Sequence, residues 1–180
     1  MTNAIYIHML DTADNYMRAQ RPGDAMEAYR TAWPHTELDD TQRVWLLLSI
    51  ANAAIRYGEY NEAFEALSAL HEKYAETGIV VGNPLFHLLV GLAYHGLNEN
   101  ERAETDNFAR ALICGGPEMF NGEDPAHLQR LMEILRPPAE LGTWTGYEGC
   151  SRESLNGAAG YLRDLLTEKI GTPPPYRYDD

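Results

Sequence analysis

Three times along this chain a small residue is followed, twelve positions later, by another: Ala13 and Ala25, Ala51 and Ala63, Gly91 and Ala103. A break lies inside each pair, at Arg21-Pro22-Gly23, at Gly58 and at Asn98-Glu99-Asn100. Two helices approach closely only where little side-chain volume separates their axes. The repeated spacing therefore predicts three antiparallel helical hairpins in series. Alanine and glycine fill 36 of the 180 positions, so six of them would seldom fall into one such register by chance.

Hydrophobic periodicity agrees. Apolar residues recur at helical spacing in at least seven segments, and no stretch shows sustained alternation, so the expected class is all-α. The first segment carries Ile5, Met9, Ala13, Tyr16 and Met17; the second starts near Asp24 and ends before Pro34. Thr41 is placed to cap a third helix running through Trp45, Leu48, Ala51 and Ile55 to Gly58, and a fourth follows with Ala63, Phe64, Leu67 and Leu70. Asn83-Pro84 opens a fifth, and a sixth carries Ala103, Phe108 and Ala111 and ends before Gly115-Gly116-Pro117. Asp124 with Pro125 opens a short seventh helix carrying Leu128, Leu131, Met132 and Leu135, placed to cover the last hairpin.

The expected organisation is a repeat domain over 1–138, followed by 139–180 packed on or beside it. That second part comprises a glycine-rich loop with Trp144 and Tyr147, a helix capped by Ser151 and a proline-rich tail from Pro173.

The paired small residues resemble tetratricopeptide repeats, whose helix pairs pack through small residues at fixed places. The resemblance implies an α-α superhelix of three divergent hairpins with a capping helix and an extra C-terminal helix. The separations of 38 from Ala13 to Ala51 and 40 from Ala51 to Gly91 exceed the usual ~34, which implies longer connections. Over residues 5 to 135 the chain is also similar to small bacterial tetratricopeptide proteins that pair a Gly-Asn-Pro opening, here Gly82-Asn83-Pro84, with Gly115-Gly116 and Glu123-Asp124-Pro125. Proteins of that group commonly sit beside polymorphic or Rhs-type toxin genes, so the resemblance implies a cognate immunity protein. The segment after Pro138 matches nothing in the group.

A net charge of −13 repels phosphate backbones and anionic headgroups, which excludes nucleic acid and membrane surfaces as expected partners. The same field steers a basic protein toward the chain and disfavours self-association, so a basic toxin domain is the expected partner and a monomer the expected free state. Acidity for solubility alone is the competing reading. The first residues lack a basic start followed by a long apolar stretch, which predicts a cytoplasmic protein. Cys114 and Cys150 are too few for a disulfide framework.

No enzyme, cofactor or metal is expected. HExxH, GxGxxG, the Walker loop and GxSxG are absent, and His87 and His95 lie about 80° apart on one helix at 3.6 residues per turn. Ser151 is better explained as a helix cap than as a nucleophile.

In tetratricopeptide arrays the first helix of each hairpin lines the concave groove. By that resemblance Leu10, Asp14, Met17 and Arg18, then Trp45, Leu48, Asn52, Ile55 and Arg56, then Leu88, Leu92 and His95 face a partner. The leucines alternatively pack beneath the C-terminal helix. Trp144 and Tyr147 are a second candidate surface, as aromatic anchors on a loop or as side chains buried against the repeats. The alternative function is a scaffold that holds a linear peptide in the groove.

Overall fold

A computed structural model describes residues 2–32, 38–74, 80 and 82–149, with side chains from His8 onward. Among these residues the chain is all-helical, without a strand, and no helix is long and apolar enough to cross a membrane. The helix expected after Ser151, the proline-rich tail, Cys150 and the Pro34 stop lie outside the described residues. The chain divides into two compact units, one ending at Lys73 and the next beginning at Tyr74.

The first unit holds α1 (Thr2–Arg18), α2 (Pro22–Ala32), α3 (Asp40–Tyr57) and all but the last residue of α4 (Tyr60–Tyr74). Helix α2 begins at Pro22 rather than near Asp24, because proline's fixed φ and missing N–H suit a first helical position. Thr41 does not cap α3. Asp39 does, accepting from the Gln42 backbone N–H at 2.8 Å while the Gln42 side chain accepts from the Asp39 N–H at 3.1 Å. This reciprocal pair satisfies two otherwise orphaned donors, which a threonine inside the first turn does not. Gly58 ends α3 at φ +93°, a left-handed conformation in which glycine has no Cβ penalty, and α4 starts two residues later. Arg30 of α2 pairs with Glu62 of α4, and Lys73 of α4 lies 3.6 Å from Asp40 of α3.

The second unit holds α5 (Pro84–Leu97), α6 (Glu101–Gly115), a 3₁₀ turn (Pro117–Phe120) and α7 (Pro125–Ile134). The Asn83 side chain accepts from the backbone N–H groups of Leu85 and Phe86, with Pro84 at the first turn. Asn98 closes α5 in the left-handed region, and Asn100 caps α6 by accepting from Ala103. Helices α5 and α6 form a tight antiparallel hairpin. Every residue of α6 from Thr105 to Leu112 is buried, including Asp106 and Arg110, which pair at 3.0 Å. Covering the helix on several sides explains why its apolar register slips after Ala103: no single stripe has to carry the packing. The buried His87 of α5 lies 3.1 Å from the side-chain oxygen of Asn107 on α6, and the Asn107 amide donates to Ala103 O.

All six small residues of the twelve-residue register are buried. Residues 139–149 are not separate from the helices before them. Tyr147 donates its hydroxyl to Ile113 O at 2.6 Å, and the backbone of the loop runs so close to α6 that a Cβ on Gly116 would lie 2.2 Å from Tyr147 O.

Candidate functional site

Helix α3 presents a polar stripe. At 3.6 residues per turn, Trp45, Asn52 and Arg56 fall within about 40° of one another around the axis. Trp45 is 59% exposed, Arg56 is exposed and Asn52 is half-buried. Val44, Leu46, Leu47 and Ile50 bury the rest of the helix. Leu48 departs from expectation: at 3% exposure it is a core side chain and does not line an open groove. Ile55, Leu88 and Leu92 are corrected in the same way, because each is buried.

On α1, Arg18 and Asp14 are both exposed; Arg18 donates to Asn15, and Asp14 is engaged with α2. Tyr29 of α2 donates its hydroxyl to an Asp14 carboxylate oxygen at 2.6 Å. Burial first, then the hydrogen bond to Asp14 and its charge, hold the phenol well above its ordinary pKa; the Ser49 hydroxyl and the Arg18 charge act in the opposite sense. Asp14 thus serves the α1–α2 hairpin.

Trp144 is buried at 9% exposure, so it is not an exposed anchor; its ring meets Tyr147 edge to face at 5.5 Å. Tyr147 is half-buried and holds the loop to α6 through Ile113.

The last expected residue, His95, belongs to a constellation that sequence reasoning missed. It sits in the final turn of α5, exposed, with its Nδ1 3.2 Å from Glu104 Oε1 in the first turn of α6. His127, in the first turn of α7, stacks its ring edge-on to His95 with centroids 4.5 Å apart and lies against Phe108 at 4.6 Å. One ligand-type atom from each of His95, Glu104 and His127 falls within 4.8 Å of the other two. Burial, and then the adjacent His95, push the His127 pKa below the ordinary histidine value, against the pull of Glu104, Asp124 and Glu123. Its imidazole is therefore held in the neutral form, the form that can ligate or accept a proton.

Ligand spacing along a single helix does not reveal the group, because its three members come from three helices. The signals available were local: the short Asn98–Asn100 turn brings Glu104 beside the end of α5, and the Asp124-Pro125 cap fixes His127 in the first turn of α7.

No protein-family model, curated protein or solved structure matches this chain.

Proposed function

We propose that this chain binds a protein and does not catalyse a reaction: a tetratricopeptide-like α-α superhelix that neutralises a basic toxin acting in the cytoplasm, as a cognate immunity protein. The observation that carries the reading is the α3 stripe, where an indole 59% exposed stands in line with Asn52 and Arg56. Tryptophan and arginine are the residue types enriched at interface hot spots, and here both are exposed on one face of α3. The net charge of −13 supports a basic partner, whose encounter it steers and whose affinity it makes salt-dependent. The buried small-residue register supports the repeat arrangement. The toxin itself is suggested by the resemblance of the Gly82-Asn83-Pro84, Gly115-Gly116 and Glu123-Asp124-Pro125 elements.

The experiment is co-expression of the chain with the protein encoded beside it. Survival of cells that the neighbour alone kills is the expected outcome, and loss of that protection in Trp45→Ala ties it to α3. Death in both cases contradicts the reading. The exposure of Arg56 on the same stripe supports a second reading, a scaffold for a linear peptide; there Arg56→Glu abolishes peptide binding while charge changes on the acidic outer face do not.

A further inference from the structure

We propose that His95, Glu104 and His127 form a binding site for a divalent transition metal, with Zn²⁺ the ion their donor set suits best. Two imidazoles and one carboxylate favour a borderline ion; Ca²⁺ and Mg²⁺ prefer shells made of oxygen. With zinc bonds of about 2.0–2.2 Å, two donors on a tetrahedral ion lie roughly 3.3 to 3.5 Å apart. His95 Nδ1 and Glu104 Oε1 are already 3.2 Å apart, and all three donors lie within 4.8 Å. The remaining closure is small, and the exposed His95 ring has room to supply it.

The three donors are held by features independent of any ion. The left-handed Asn98 and the Asn100 cap set the turn that puts Glu104 beside His95. Asp124 caps α7, and the ring of His127 packs on Phe108. The Arg130–Glu101 ion pair joins α7 to α6 alongside. The Glu104 side chain is only 12% exposed and His127 is buried, so two of the donors are preorganised and partly dehydrated. Glu123 and Asp124 add negative charge at the same end of α7, which favours a cation. Three protein ligands leave a fourth position, on the side where His95 meets solvent, for water or a partner's side chain. A bound ion would tie α5, α6 and α7 together at one end of the second unit.

The test uses the full, untagged, chelator-treated chain titrated with Zn²⁺ by calorimetry, with the bound metal counted by elemental analysis. One saturable Zn²⁺ per chain is expected, with a rise in melting temperature. His95→Ala and Glu104→Gln should each weaken binding by about tenfold or more and remove most of the metal-dependent rise in melting temperature, whereas His8→Ala, far along the sequence, should affect neither. Bound Co²⁺ should give visible bands of tetrahedral intensity that His95→Ala abolishes. No saturable Zn²⁺ binding, or binding that persists in the His95→Ala/Glu104→Gln double variant, would overturn the site and leave the three side chains as a packing and hydrogen-bonding cluster only.

Discussion

Gly91 of α5 and Phe108 of α6 meet with no room between them: a Cβ added to Gly91 would stand 2.4 Å from Phe108 Cδ1. Phe108 cannot swing aside, because its ring is buried and packed on Phe120 and His127. Alanine in a helix interior gains roughly 1 kcal/mol over glycine, but overpacking a core costs about 1–3 kcal/mol. A 2.4 Å approach puts the cost at the upper end, so Gly91→Ala should lower stability by up to about 2 kcal/mol, read as a fall in the urea midpoint. Combined with Phe108→Leu, the loss should be smaller than the sum of the two single losses, because the clash is relieved.

Gly116 has φ +74° and its missing Cβ leaves space for Tyr147 O. With ψ 176° it lies in a region of positive φ that is essentially closed to residues with a Cβ, which costs an L-residue about 1–3 kcal/mol before the contact is counted. Gly116→Ala should detach residues 139–149 from α6. In a Trp33→Phe/Trp45→Phe background the emission of Trp144 should then shift to the red as its buried indole meets water; unchanged emission and unchanged stability would contradict this packing.

The Tyr29 phenol, buried and bonded to Asp14, has its folded pKa raised above the ordinary value near 10. Between those two values the unfolded chain gives up this proton and the folded chain keeps it, so stability falls as pH rises. The contribution is complete below about pH 10 and is lost above it. The melting temperature of the native chain should drop more steeply from neutral to strongly alkaline pH than that of Tyr29→Phe. At neutral pH that variant should be weaker by about 1 kcal/mol, from the lost hydrogen bond.

Trp45→Ala should leave the unfolding free energy from urea titration within about 0.5 kcal/mol of the native chain's, since the indole lies outside the core. Its effect should appear in partner binding, measured by calorimetry, as a loss of about 2 kcal/mol or more. A large fall in stability would place Trp45 in the structure instead of the interface.

The features legible in the sequence were those set by local chemistry. The small residues at twelve-residue spacing, the Asn83-Pro84 opening and the Asp124-Pro125 cap depend on a few neighbouring residues, and all are found where the spacing puts them. Thr41 misled because a capping box two residues upstream satisfies the same orphan donors better. Leu48 misled because α3 is buried over most of its circumference, so three positions separate an exposed Trp45 from a core leucine. The His95–Glu104–His127 group was illegible because it requires α7 to fold back onto the turn end of the α5–α6 hairpin, a contact no local pattern encodes.

We propose that this acidic chain recognises one basic protein through α3. Calorimetric titration of the purified chain with the catalytically inactivated product of the adjacent gene, at low and at high salt, tests it most directly. A stoichiometric complex is expected, which salt weakens and which Trp45→Ala weakens about thirtyfold or more. Absence of binding at low salt, or binding indifferent to both salt and Trp45, would contradict it.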